Sequence, residues 1–124
     1  MAKKTILYVD DERDALQAVS MGLEERGYTI LTAASGEEAL KLLNTNNPDI
    51  IITDLKMAPM NGFELFQEIK KEERLQKIPF FFLTAVNDPL AQKYGQVLGV
   101  DAYITKPVDL DDLEDAIRNR LSYK

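Results

Sequence analysis

"DIIITDLKM", residues 49–57, places three consecutive isoleucines, Ile50, Ile51 and Ile52, ahead of Thr53 and an acid, Asp54. A short unbroken apolar run of this kind reads as a strand covered on both faces. A carboxylate is costly to remove from water, so its place at the end of such a strand requires a reason.

Four further short runs accompany it: "TILYV" (5–9), "YTILT" (28–32), "FFFL" (80–83) and "AYIT" (102–105). Amphipathic stretches separate them. Leu16, Val19 and Leu23 keep one face through residues 14–26. Ser35 with Glu38 reads as a capping box, opening a helix that buries Ala39, Leu40 and Leu43. Phe63, Phe66 and Ile69 stripe a third helix after Gly62. Asp88 and Pro89 read as N-cap and first residue of a fourth, expected to bury Leu90, Tyr94 or Val97, and Leu98. Asp109 caps a fifth, with Leu110, Leu113, Ile117 and Leu121 at helical spacing. Gly27, Gly62 and Gly99 mark the joins. Strict alternation predicts an α/β fold, a doubly wound (βα)5 three-layer sandwich on a parallel sheet. The order 2-1-3-4-5 is adopted as the commonest arrangement of five such strands, with its switch point between the first and third.

With 124 residues the chain reads as one domain, 1–124. It contains no cysteine and no histidine. Disulfides, thiolate zinc sites, Cys/His nucleophilic pairs and Ser-His-Asp triads are therefore excluded, and any metal is a hard ion held by oxygen. The net charge of −6 argues against direct nucleic-acid or membrane binding, though it serves solubility first. No apolar run approaches the ~18 residues of a membrane span. "MAKKTILYVDDE" shows no signal-peptide pattern, so a cytoplasmic location is expected.

In a parallel sheet the C-terminal strand ends share one edge. The first run is followed by Asp10, Asp11 and Glu12, the third by Asp54, the fourth by Thr84 and the fifth by Lys106. With the adopted order, Asp10, Asp11 and Asp54 converge across the switch point, flanked by Thr84 and Lys106. Taken singly, each has a plain explanation: a helix cap, a turn residue, a β-branched strand terminus, a lysine in a turn. Independent accidents should not choose the same rim repeatedly. Carboxylates in contact repel one another unless a cation intervenes, and oxygen donors at a wet rim suit Mg²⁺. Once the charge is partly neutralised, an anionic phosphoryl donor can approach. Asp54 then serves as carboxylate nucleophile, while Lys106 and the Thr84 hydroxyl take phosphoryl oxygens. On this reading the strand ends on an acid because that acid accepts phosphate.

In "ILYVDDE" (6–12), "DIIITDLKMAPMNGFEL" (49–65), "FFLTA" (81–85) and "GVDAYITKPVDLDDL" (99–113), the chain resembles the receiver domains of two-component response regulators, including the chemotaxis type. The resemblance spans nearly the whole chain and implies a flavodoxin-like fold. It implies that Asp54 is the phosphorylated residue. Asp11 and Asp54 would ligate Mg²⁺ directly, Asp10 largely through water, and the backbone carbonyl of Lys56 would complete the set. Thr84 and Lys106 would hold the phosphoryl group, with backbone N–H groups near Lys56 and Ala85. Lys106-Pro107 would be a cis peptide. Thr84 and Tyr103 would form the switch. The implied donor is a sensor histidine kinase, a phosphotransfer protein or a small phosphodonor, since this chain has no histidine of its own. The implied reader is an effector protein or domain at the fourth helix, fifth strand and fifth helix. Such a chain is no enzyme in the ordinary sense, but it assists its own phosphorylation and dephosphorylation.

Some positions depart from the family pattern. Ala58 stands where many members have proline, and Pro59 follows it. Ala102 stands where many dimerising members carry an acid, so a monomer or weak dimer is expected. Lys56 and Val86, each two residues past a site residue, are expected to tune the lifetime of the phosphate. The alternative is a receiver-like interaction module that is never phosphorylated; such modules usually lose an acid or the lysine. A haloacid-dehalogenase-type phosphatase needs an acid at position 56, and an FMN-binding flavodoxin needs a Ser/Thr/Gly-rich loop where this chain has acids.

Overall fold

The computed structural model describes residues 3–122. β3 (Ile50–Thr53) lies at the centre of the sheet with every residue buried. Around it run β1 (Thr5–Val9), α1 (Arg13–Glu25), β2 (Thr29–Ala33), α2 (Gly36–Leu43), α3 (Gly62–Lys70), β4 (Phe80–Thr84), α4 (Pro89–Leu98), β5 (Ala102–Thr105) and α5 (Leu110–Ser122), with a short 3-10 turn at Glu73–Leu75. The sheet is parallel in the order β2-β1-β3-β4-β5, as expected. The differences are small: β2 begins one residue later than the apolar run suggested, and Thr84 ends β4 instead of following it.

Alternation along the strands feeds two cores. Leu7, Val9, Ile51, Phe80 and Phe82 pack with Leu43 of α2 and with Leu65, Phe66 and Ile69 of α3. Ile6, Tyr8, Ile50, Ile52, Phe81 and Leu83 pack with Leu23 of α1 and with Leu113 and Ile117 of α5. On the first side, Phe82 is the hub of edge-to-face contacts with Phe80, Phe63 and Tyr103, at centroid separations of 5.4, 5.2 and 5.9 Å.

The helices start where their caps allow. Ser35 Oγ accepts from the Glu38 N–H, but the Glu38 carboxylate reaches back to the Ala34 N–H, so the expected box is closed one residue early. A complete capping box instead opens α3, between Asn61 and Glu64. Asp88 caps α4 with Pro89 behind it, and Asp109 accepts from Asp111 and Asp112 at the start of α5. Gly62 is required by a close approach: a Cβ there would lie 2.6 Å from the Asp54 carbonyl oxygen and 2.8 Å from Phe82.

The N-terminal edge of the sheet is finished by a repeated device. The Asp49 N–H donates to the Thr5 carbonyl while the Asp49 carboxylate accepts the Thr5 N–H at 2.7 Å. Asp101 does the same with Phe80, accepting its N–H at 2.8 Å. Each aspartate thus extends the ladder by one side chain.

α4 corrects one expectation. Leu90 and Val97 are 77% and 74% exposed and Tyr94 is 46% exposed, whereas Leu98 is half-buried as expected. The inward face is built from Ala91, Gly95 and Leu98. Size decides it. A Cβ on Gly95 would stand 3.3 Å from Val100 and 3.6 Å from Tyr103, so small residues let the helix lie close and turn the larger side chains outward.

Candidate functional site

β1 and β3 are paired with Val9 opposite Thr53, so Asp10 and Asp54 leave the sheet side by side. The Asp54 N–H still donates to the Val9 carbonyl at 2.8 Å. Across the sheet Thr84 is opposite Thr105, and the Lys106 N–H donates to the Thr84 carbonyl. The ladder therefore delivers Asp10, Asp11, Asp54, Thr84 and Lys106 to one rim. Residues Asp11, Asp54, Lys56, Thr84, Val86 and Lys106 line an open cleft there, about 480 Å³ in volume.

Burial differs sharply among the acids. Asp10 is fully buried, Asp54 is 13% exposed at its side chain, and Asp11 is open to solvent. One carboxylate oxygen from each lies within 4.8 Å of the others. Such a group, with hard oxygen donors beside a wet cleft, fits a cation of the Mg²⁺ type. Asp10 is already heavily engaged. Its Oδ1 accepts the Glu12 N–H at 2.9 Å, and its Oδ2 accepts both the Tyr8 hydroxyl and the Lys106 ammonium at 2.7 Å. Lys106 Nζ also stands 3.7 Å from Asp54 Oδ2. The Asp54 Oδ1 accepts the Leu55 N–H at 2.6 Å and a long bond from the Lys56 N–H at 3.4 Å.

The charges act on their neighbours. Partial burial alone would lower the Lys106 pKa, but its hydrogen bond to Asp10 and the charges of Asp10, Asp54 and Glu12 raise it above the ordinary lysine value. Burial, reinforced by the bond to Asp10, drives the Tyr8 phenol far above its ordinary range, so it is a neutral donor. Burial likewise raises Tyr103, helped by the charges of Asp88 and Asp54.

Thr84 is fully buried, and its Oγ1 accepts the Val86 N–H at 3.2 Å. The Tyr103 hydroxyl donates to the Val86 carbonyl at 2.6 Å, with its ring against Phe82. The two residues thus hold neighbouring peptide groups of the loop after β4. Lys106-Pro107 is cis, as the resemblance implies, and so is Ala58-Pro59.

Sequence reasoning missed Tyr8. The signal was available: a tyrosine two residues before Asp10 shares its face of the strand, and a buried phenol needs a partner for its hydroxyl.

Residues 6–118 match the family model of the response regulator receiver domain. The chain is 38% identical over 119 residues to "Probable transcriptional regulator ycf27" of Cyanophora paradoxa, covering 96% of this chain and 48% of that protein. It therefore spans about half the length of this curated relative. Among solved structures, chemotaxis response regulator CheY4 of Vibrio cholerae superimposes with a TM-score of 0.88 at 30% identity, covering 97% of this chain and 99% of that one. The signal receiver domain of a signal transduction histidine kinase from Syntrophus aciditrophicus gives a TM-score of 0.88 at 33% identity, covering 96% and 90%.

Proposed function

This chain belongs to the response regulator receiver domain family, and from that premise we propose that it is a phosphoacceptor whose acceptor is Asp54. The observation that carries the reading is the convergence of three carboxylates with Lys106 and Thr84 on one cleft. Asp54 is the acid best suited to attack. It faces the cleft, its Oδ1 is fixed by backbone amides, and its Oδ2 points toward the Lys106 ammonium.

The donor is a phosphohistidine of a sensor kinase or phosphotransfer protein, or a small phosphodonor. An Asp54 oxygen attacks phosphorus, the bond from phosphorus to the donor breaks, and the electron pair leaves with the donor. Lys106 and Thr84 take the oxygens of the transferring group, joined by the amides of Lys56 and Ala85. Asp11, Asp54 and the Lys56 carbonyl would hold a Mg²⁺. Asp10 would support them from behind, which suits an acid whose two oxygens already carry three donors. When bound, the ion offsets the carboxylate charge and orients a phosphoryl oxygen.

The output follows from Thr84. Turning its hydroxyl toward the phosphoryl group alters the contact with Val86, whose carbonyl holds Tyr103. Phosphorylation shifts the population of two forms by stabilising one of them. An effector protein or domain reads the result at α4, β5 and α5, where Leu90, Tyr94 and Val97 are exposed. Lys56 and Val86, standing over the site, set how readily water reaches the phosphate. The receiver unit, 1–124, works in the cytoplasm without binding membrane or nucleic acid itself, as a monomer or weak dimer. Among the described residues, no helix is long and apolar enough to cross a membrane.

Incubation with Mg²⁺ and acetyl phosphate, followed by intact mass, tests this. The wild type is expected to gain one phosphoryl group and Asp54→Asn none. An unlabelled wild type overturns the proposal, and labelling that persists in the variant reassigns the acceptor.

A further inference from the structure

Tyr8 lies two residues before Asp10 on β1, is wholly buried, and belongs to the same apolar cluster as Ile6, Ile52, Leu83 and Ile117. An isoleucine or leucine could serve as core filling there, so the hydroxyl is the feature that requires explanation. It donates to Asp10 Oδ2 at 2.7 Å, and the same oxygen receives the Lys106 ammonium at 2.7 Å. Lys106 stands farther from Asp54 Oδ2, at 3.7 Å. One lysine is thus shared between two acids, and the nearer acid is the fully buried one. To meet a phosphoryl oxygen on Asp54, the ammonium must give ground at Asp10. A buried carboxylate oxygen that loses its donor suffers the desolvation penalty uncompensated. The Tyr8 hydroxyl, rooted in the core, does not leave with the lysine.

We infer that Tyr8 is a positioning residue of the phosphoryl-accepting site: its hydroxyl holds the Asp10 carboxylate and keeps Oδ2 satisfied while Lys106 passes from Asp10 to the phosphoryl group on Asp54. This rests on the phosphoacceptor reading above. Without the hydroxyl, Asp10 retains Lys106 more tightly and Asp54 receives less of its charge.

The test compares wild type with Tyr8→Phe, which keeps the ring that fills the core. Both are treated with acetyl phosphate at saturating Mg²⁺ and followed by intact mass. In the reaction the phosphorus–oxygen bond to acetate breaks, acetate keeps the electron pair, and an Asp54 oxygen bonds to phosphorus. Tyr8→Phe is expected to be phosphorylated roughly tenfold more slowly, the worth of one hydrogen bond to a charged group. In a Lys106→Met background the same change is expected to matter less than about twofold, because the lysine through which Tyr8 acts is gone. A merely structural role would slow both backgrounds alike. The Lys106 side-chain ammonium signal, recorded by nitrogen NMR without phosphodonor, is expected to be better protected from exchange in Tyr8→Phe. Equal rates in wild type and Tyr8→Phe, equal slowing in both backgrounds, or an unchanged ammonium signal overturns the inference. One check needs no variant: the Tyr8 hydroxyl proton is expected to stay hydrogen-bonded in the phosphorylated protein, and its loss there also overturns the inference. A wild type that gains no phosphoryl group overturns the underlying reading instead.

Discussion

Tyr28 and Tyr8 are both partnered by acids, but at opposite ends of the sheet, and both resist ionisation. The Tyr28 hydroxyl donates to Glu114 at 2.8 Å, and burial with that bond pushes its pKa up to about 12. A phenol whose folded pKa exceeds its unfolded value of about 10 adds stability that is complete below pH 10. That contribution disappears as the pH rises toward 12. Denaturant midpoints recorded across this window are expected to fall less steeply for Tyr28→Phe than for wild type; identical slopes would refute the coupling. Single residues were unequally legible in the sequence. Asp54 announced itself by ending an apolar strand, and Lys106 by preceding a proline beside the same rim. Tyr8 did not, because periodicity scores a tyrosine in a buried run as bulk and ignores its hydroxyl. Its partner, Asp10, stands only two residues on, but that Lys106 meets the same carboxylate oxygen emerges only once β1 and β5 are placed in one sheet.

Elements are held as much by their ends as by their faces. The paired bonds of Asp49 to Thr5 and of Asp101 to Phe80 close the ladder where main-chain partners run out. Asp49→Ala leaves the Thr5 N–H without its charged acceptor and is expected to lower stability by about 1–3 kcal/mol. Urea unfolding with an unchanged m-value is the measurement, and an unaltered midpoint would show that water replaces the carboxylate at no cost. Asp101→Ala should cost at least as much, since Asp101 also meets Arg120 of α5 at 3.2 Å. This device was written in the chain, with an aspartate directly ahead of two of the apolar runs, but a rule that looks for alternation passes over it. α4 failed to be read for a related reason. Its apolar residues do fall at helical spacing, yet Ala91 and Gly95 win the inward face because Phe82, Val100 and Tyr103 leave room for little else.

For the whole molecule, strand alternation and right-handed connections anticipated a parallel sheet covered on both faces, while the strand order came from the commonest arrangement of five such strands; the register then brought the site together without long loops. A net charge of −6 is spread over the chain, but Asp10, Asp11 and Asp54 concentrate part of it at one rim. A cation bound there would stabilise the folded state over the unfolded one, by about 2.7 kcal/mol at a hundredfold excess over Kd. Thermal unfolding in rising Mg²⁺ is expected to shift upward by several degrees, and Asp11→Asn should abolish most of the shift; a flat response would remove the metal from the reading. The aspartates also give the sheet a functional polarity. At one end they are consumed in replacing missing backbone partners, and at the other Asp11 and Asp54 line an open cleft. A scan that replaces each aspartate by alanine should therefore divide the chain geographically, with melting temperature falling for Asp49 and Asp101 while phosphate uptake vanishes at Asp54.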